Sequence, residues 1–285
     1  MDSLQIFGYL GALVVGLVLG LVGGGGSILT VPLLVYVLGY NPVIATAYSL
    51  FVVGSSSMVG AVQKIRKGLA DIKIGLAFSF PSFMAVYLSR RYLVPNLPEI
   101  LFNVGSYPIS KDMAIMSFFS IVMLLASISM IRTKNEEKEL LNFKQPYYMT
   151  FIQGIVIGTV TGIIGAGGGF LYVPALVLWA NLPMKKAVGT SLIIVTINSL
   201  IGFTGDLQTI EIEWLFLLTF SSFTIIGILI GVFISKYISG KKLKKGFGWF
   251  TLAMAFYILY KEINLFHFYI FYDVYLALIF YCSYT

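Results

Sequence analysis

A run of glycines within an apolar stretch occurs twice in this chain and constrains the fold more than any other feature. GGGGSILTVP covers 23–32 and GAGGGFLYVP covers 165–174. Consecutive glycines break a helix, and a helix broken inside a membrane must find new partners for its freed backbone N–H groups. The repetition predicts a duplicated membrane protein with two helix breaks, which are where membrane proteins commonly build binding sites.

The composition is that of a membrane protein. Of the 285 residues, 58% are hydrophobic and 11% are charged. Several windows of about 18 residues carry few or no charges, which is the length needed to cross about 30 Å of hydrocarbon. We therefore predict an all-α polytopic membrane protein. The N-terminal segment has no basic residue before its apolar run, so we interpret it as the first membrane helix and not as a cleaved signal.

Charge and the rare reactive residues narrow the function classes. The net charge of +7 comes from Lys and Arg in short loops between apolar runs, so it does not indicate a nucleic-acid partner. The single Cys282 and the single His267 provide neither a disulfide within the chain nor a metal site with several such ligands. Because no Ser/His/Asp or Cys/His set is available, we predict that the protein is not an enzyme and has no cofactor and no metal.

The two halves of the chain are related by a constant offset. Gly23 corresponds to Gly165, Pro32 to Pro174, and 18 of the 47 positions in 14–60 are identical without a gap. Shared apolar composition does not readily place glycines, a proline and serines in register. The predicted organisation is a first transmembrane repeat at 1–131, a charged cytoplasmic linker at 132–146, a second repeat at 147–262 and an aromatic C-terminal tail at 263–285.

Two short apolar segments decide the number of passes. Residues 27–40 and 169–182 hold about 14 residues each, so as helices they would reach only about 21 Å. Each is predicted to be a half-helix or a re-entrant segment, which gives about eight full spans and five passes in each half. The tail at 263–285 is long enough to cross once more or to lie along the interface, and the sequence leaves both open.

Loop charges indicate that the two repeats are inverted. The loop after 43–63 is basic, whereas the equivalent loop after 187–204 is acidic. The charged residues of the two loops are Lys64, Arg66, Lys67 and Lys73 against Asp206, Glu211 and Glu213. The positive-inside rule places the first loop in the cytoplasm and the second outside. We therefore predict a multi-pass protein of the cell membrane with its N-terminus outside. The scheme also places the loop at 89–111, with Arg90 and Arg91, outside, and this loop is its weakest fit.

The two helix breaks form a candidate anion site. Each half-helix points its first N–H groups and its positive dipole end toward the break, and glycine lets an anion approach the backbone. Hydroxyl and amide side chains flank both breaks and can donate to an oxyanion. The predicted substrate-binding residues are Gly23, Gly24, Gly25, Gly26, Ser27, Thr46, Tyr48, Ser49, Gly165, Gly167, Gly168, Gly169, Thr190, Ser191 and Asn198, and the predicted structural helix breaks are Pro32 and Pro174.

Packing is the competing interpretation of these residues. Small residues at GxxxG spacing, such as Gly16 and Gly20, are typical of close helix contacts, and we assign those pairs to packing. A hydroxyl can simply bond a carbonyl of its own helix, which applies to any single member of the set, Ser55, Ser56, Ser57 and Ser199 included. A nucleotide-binding loop is disfavoured because neither glycine run is followed by Lys.

The paired motif resembles a known family. GxxxGxxGGGGSxxxVPLLV followed by AxAYSL, and GxxxGxxGAGGGFLYVPALVL followed by AVGTSL, are similar to the sulfite exporter TauE/SafE family over about 5–260. The resemblance implies a multi-spanning inner-membrane transporter of small sulfur anions, and its motif covers the glycine runs with Pro32, Pro174, Ser49, Thr190 and Ser191. Tyr48 stands where the family usually has Thr, and a phenol there would reshape one side of the site.

Together these observations predict a secondary transporter of small anions, sulfur-containing by the resemblance, that works by alternating access. The predicted partners are a small anion such as sulfite, thiosulfate or an organosulfonate, the lipid bilayer, and a coupling proton or Na⁺. An anion channel of the same architecture and a non-transporting assembly or sensor subunit remain the alternatives. The sequence does not give the exact substrate, the direction of transport or the oligomeric state.

Overall fold

The computed structural model describes residues 3–24, 27–104, 107–132, 147–165 and 167–283. Over these ranges the chain forms ten α-helices and one two-stranded β-hairpin. The helices are α1 (Ser3–Val22), α2 (Ser27–Pro32), α3 (Pro42–Arg66), α4 (Ile72–Leu88), α5 (Lys111–Arg132), α6 (Tyr147–Ile164), α7 (Gly169–Leu178), α8 (Met184–Asp206), α9 (Trp214–Ile234) and α10 (Gly240–Ser283). Leu33–Val37 after α2 and Ser89–Leu93 after α4 continue as π-helical turns.

Five described helices are long and apolar enough to cross a membrane, judged by length and composition: α3, α4 with its π-helical continuation, α5, α8 and α9. Shorter apolar helical stretches lie in α1, α2 with its continuation, α6 and α7. The protein is therefore a multi-pass α-helical membrane protein. The expected total of about eight full spans stays a prediction.

The helix breaks fall at the glycines. Gly23 has φ +77° directly after α1, and Gly165, Gly167 and Gly168 have φ between +65° and +69° between α6 and α7. This left-handed conformation is strained for side chains with a Cβ, which is why glycine occupies these positions. The following helices begin at Ser27 and Gly169, where the sequence predicts half-helices to begin.

The two prolines differ from the expectation that they break the helices. Pro32 is the last residue of α2, and the chain continues into the π-helical turn Leu33–Val37. Pro174 lies inside α7, which runs on to Leu178. The breaks precede both prolines, because the positive φ angles before α2 and α7 already turn the chain. Proline then only removes one N–H donor within a short helix.

The central pair of helices, α3 and α8, is antiparallel. A Cβ added at Gly60 would lie 3.2 Å from Leu192, and one added at Gly202 would lie 3.4 Å from Leu50. Residue numbers rise along one helix as they fall along the other. Under the sequence offset these two contacts are equivalent to each other, since Gly60 corresponds to Gly202 and Leu50 to Leu192.

Two outer pairs are parallel and packed through glycine. In the first pair, Gly16 of α1 lies against Thr224 of α9, and a Cβ added at Gly20 would lie 2.5 Å from the Ile228 carbonyl oxygen. In the second pair, a Cβ added at Gly158 of α6 would lie 2.5 Å from the Ser82 carbonyl oxygen of α4. These backbone approaches are what GxxxG spacing permits in membranes.

Helices α5, α7 and α10 and the β-hairpin complete the fold around the helix pairs described above. Phe119 of α5 packs edge-to-face on Phe170 of α7, with ring centroids 5.6 Å apart, in a buried cluster that also includes Phe247 of α10. Strands β1 (Ile100–Val104) and β2 (Tyr107–Ser110) form an antiparallel hairpin that the sequence analysis did not anticipate.

The C-terminal part of the chain is one continuous helix. Helix α10 has 44 residues, about 66 Å at 1.5 Å per residue, and it passes through the expected boundary between 262 and 263 without a break. Of the predicted linker, 133–146 lies outside the described residues, and only Arg132, the last residue of α5, lies within them.

Candidate functional site

The two glycine breaks meet each other. A Cβ at Gly24 would overlap with the backbone of Gly169, and a Cβ at Gly169 would overlap with that of Gly24. Two chain breaks that are far apart in sequence are therefore in direct backbone contact. Gly25 and Gly26 lie outside the described residues, and so does the side chain of Ser27.

Each break also lies against the central helix of the other half. A Cβ at Gly23 would lie 2.7 Å from Ser191 Oγ and 2.9 Å from the Val188 carbonyl oxygen of α8. At the other break, a Cβ at Gly165 would overlap with Thr46 of α3. Val188 and Thr46 are equivalent positions under the sequence offset. The two breaks thus occupy equivalent places on the two antiparallel central helices.

Several buried hydroxyls of the central helices α3 and α8 have no partner among the described residues, and one of them lies against the second break. Gly167 faces Ser199, whose Oγ would lie 2.7 Å from an added Cβ. In the described part of the chain, the hydroxyls of Ser49, Ser56, Ser57 and Ser199 have no hydrogen-bond partner. All four residues are fully buried. Burying an unpaired hydroxyl costs about 1–3 kcal/mol in proteins, so such a group is usually matched by a water molecule or a ligand.

Asn198 lies in a compact polar network with two residues outside the predicted site. Its Nδ2 donates to Tyr172 OH at 2.7 Å and to Ser82 Oγ at 2.9 Å, and the Tyr172 and Ser82 hydroxyls also bond each other. A Cβ at Gly168 would lie 2.9 Å from the Tyr172 ring. The amide oxygen of Asn198 has no partner among the described residues, which leaves one buried acceptor in the network.

Two residues of the predicted site have their hydroxyls at helix starts. Thr190 Oγ1 accepts from the Asp71 N–H at 2.8 Å, and Tyr48 OH accepts from the Glu213 N–H at 2.9 Å. Asp71 and Glu213 are the N-caps of α4 and α9. Under the sequence offset the two bonds are equivalent, so the phenol and the smaller hydroxyl serve the same contact.

Arg90 and Asp206 form a buried ion pair, which corrects the sequence analysis. Arg90 was expected in an outer loop and Asp206 at a loop edge, yet their side chains are 0% and 4% exposed. Arg90 Nε lies 2.9 Å and 2.7 Å from the two carboxylate oxygens, and Nη2 lies 2.7 Å from Oδ2. Arg90 Nη1 also donates to Thr46 Oγ1 at 3.1 Å, and Thr46 contacts Gly165. This cation therefore lies beside the second break.

Lys64 is a second buried cation. It is 3% exposed and donates to Ser235 Oγ at 2.8 Å. The signal that could have found it is in the repeat itself, because Lys64 and Asp206 are equivalent under the offset and both lie in the last turn of a central helix. Among the described residues, no group of three or more His, Cys, Asp and Glu side chains could hold a metal ion.

The fold and the paired helix breaks, with buried polar side chains beside them, are those of a polytopic membrane protein. The family model described as sulfite exporter TauE/SafE matches residues 9–258. The chain belongs to this family. It is 27% identical over 254 residues to a probable membrane transporter protein of Xylella fastidiosa, covering 87% of this chain and 92% of that protein. It is 29% identical over 234 residues to the probable membrane transporter protein YunE of Bacillus subtilis, covering 72% and 79%. No solved structure matches.

Proposed function

We propose that the protein is a secondary transporter that moves small anions across the cell membrane. The observation that carries this proposal is the contact between the two helix breaks, where Gly24 meets Gly169 beside buried polar side chains. The first N–H groups of a helix have no partner within it and carry partial positive charge. An anion held there would accept from the backbone and from hydroxyls such as those of Ser57 and Ser199.

Alternating access between two inverted repeats is the proposed mechanism. The antiparallel course of α3 and α8 and their equivalent contacts support inversion, since equivalent helices of inverted repeats run in opposite directions. In this scheme, rocking one repeat against the other would open the shared site first to one side and then to the other. The basic end of α3 would face the cytoplasm and the N-terminus would lie outside.

The substrate class follows from two independent arguments. A site of N–H groups and hydroxyls favours oxyanions, because each oxygen can accept several hydrogen bonds. The description of the matching family names sulfite, so sulfite, thiosulfate and small organosulfonates are the proposed substrates. A proton or Na⁺ gradient is the proposed energy source.

The test is transport by protein reconstituted in liposomes. We expect saturable uptake of labelled sulfite or thiosulfate. We expect Ser57→Ala and Ser199→Ala each to raise the KM by about 10- to 100-fold, since one hydrogen bond to a charged group contributes about 1.5–3 kcal/mol. Ser127→Ala is the matched control, because Ser127 is equally buried but donates to the Leu124 carbonyl of its own helix at 2.8 Å.

Two results would contradict the proposal. Equal effects of Ser57→Ala, Ser199→Ala and Ser127→Ala would remove the serines from the site. A flux that rises linearly with concentration and ignores ion gradients would indicate a channel.

A further inference from the structure

Lys64 is buried without a counter-charge among the residues that the structure describes. Its ammonium donates to Ser235 Oγ at 2.8 Å, and that hydroxyl in turn donates to the Val232 carbonyl at 2.9 Å. Ser235 can therefore only accept from Lys64, which leaves two further ammonium protons. In the described part of the chain, Lys64 forms no ion pair and has no second hydrogen-bond acceptor.

Arg90 provides the contrast. It is also fully buried, but the Asp206 carboxylate neutralises it at 2.7 Å. Burying an ammonium without an anion is costly, so such groups are normally paired. Arg90 is thus paired within the protein, and Lys64 has no anionic partner in the described part of the chain.

The position of Lys64 connects it to the first helix break. One turn of α8, residues 188–191, separates the two. On one side of this turn, Val188 and Ser191 lie against Gly23; on the other, a Cβ at Gly189 would lie 3.2 Å from Lys64 Cβ. Lys64 therefore lies across one turn of α8 from the first break, whereas Arg90 bonds Thr46, which contacts the second break directly.

The surroundings of Lys64 are positively charged. Lys67 and Lys185 both act on Lys64 through their charge. Partial desolvation lowers the pKa of Lys67, and the nearby charge of Lys236 lowers it further. Lys64 and Lys67 lie at the C-terminal end of α3, Lys185 lies in the first turn of the antiparallel α8, and Lys236 follows Ser235, which Lys64 contacts. Mutual repulsion of this kind favours an anion among them.

We propose that Lys64 binds the transported oxyanion at this end of the pathway, across one turn of α8 from the first helix break, which rests on the proposed transport function. The ammonium supplies a point charge with two spare donors, which suits a small oxyanion of any orientation. The anion would supply the negative counter-charge for the Lys64 ammonium. The surrounding lysines would raise the local concentration of the anion.

Lys64→Met tests this proposal by two readouts. In neutral phosphatidylcholine liposomes, we expect the KM for sulfite or thiosulfate to rise by about 10- to 100-fold. Without substrate, the Tm of the variant should equal or exceed that of the wild type, because an uncompensated buried charge has been removed. A purely structural lysine would instead lower the Tm and leave the KM unchanged, which would overturn the proposal. Lys186→Met is the control, since Lys186 is exposed.

Binding is measured separately from transport, by the increase in Tm of purified wild type with sulfite or thiosulfate. Binding that Lys64→Met abolishes supports the Lys64 site even if no flux is found, in which case only the transport function fails. Absence of both binding and flux in the wild type overturns both proposals. If Lys64→Met leaves the KM unchanged but removes a stabilising effect of phosphatidylglycerol, the occupant is a lipid phosphate and the substrate assignment is wrong.

Discussion

The ion pair between Arg90 and Asp206 gives the sharpest stability prediction. Asp206→Asn keeps the shape of the side chain but removes its charge, and Arg90, which is 0% exposed, would then have no anionic partner. Breaking a buried pair by removing one member costs about 3–5 kcal/mol, whereas an exposed pair contributes only about 0.2–1 kcal/mol. Because both side chains are buried, we expect a loss of about 3–5 kcal/mol in the free energy of unfolding.

The assay is thermal or denaturant unfolding of the purified protein, followed by circular dichroism. For a chain of this size class, each kcal/mol corresponds to about 2–4 °C in Tm, so the predicted decrease is about 6–20 °C. Glu211→Gln is the matched control: Glu211 is an exposed carboxylate close in sequence, and its loss should change the stability by less than about 0.5 kcal/mol.

A double variant separates pairing from burial. Arg90→Met combined with Asp206→Leu removes both charges, and replacing a buried pair with apolar groups is often neutral or stabilising. The double variant should therefore be more stable than Asp206→Asn alone. The reasoning is refuted if Asp206→Asn lies within about 1 kcal/mol of the wild type, or if the double variant is as unstable as the single one.

Two further predictions concern helix packing and topology. Gly20→Ala should destabilise the protein by about 1–3 kcal/mol, because the new Cβ would lie 2.5 Å from the Ile228 carbonyl oxygen, whereas Gly246→Ala has open space and should be neutral or stabilising in a denaturation assay. Equal Tm values for the two variants would contradict the close packing of α1 on α9. Single cysteines at Arg66 and Glu211, in a cysteine-free background, should react with impermeant reagents from opposite sides of the membrane, and labelling from the same side would exclude inverted repeats.

The sequence predicted the helix breaks well because glycine acts locally. The positive φ angles at Gly23 and Gly165, and helix starts at Ser27 and Gly169, follow from a residue type that relieves backbone strain wherever it stands. The register of the repeat also predicted which residues of the two halves make equivalent contacts in the structure. Neither result required knowledge of which helices touch.

The buried charges could not be predicted in this way. Arg90 and Asp206 are 116 residues apart, and each lies at the end of an apolar segment, where a charge is usually a solvated loop residue. Their burial depends on how α4 meets α8, which no local pattern encodes. The poor fit of Arg90 to the positive-inside rule was the one sign that it did not belong to an outer loop.

The buried charges, and not the Tyr48 side chain, are what make the two halves of the protein unequal. Tyr48 and Thr190 differ in size, yet each accepts from the backbone N–H at the start of the next helix, so this substitution preserves an equivalent contact. The difference in charge is larger, because Lys64 in one half corresponds to Asp206 in the other. An anion approaching from the Lys64 end would meet a cation that forms no ion pair with the described residues. From the other end it would meet Arg90 already neutralised, so we infer that the two ends of the pathway differ in their affinity for anions.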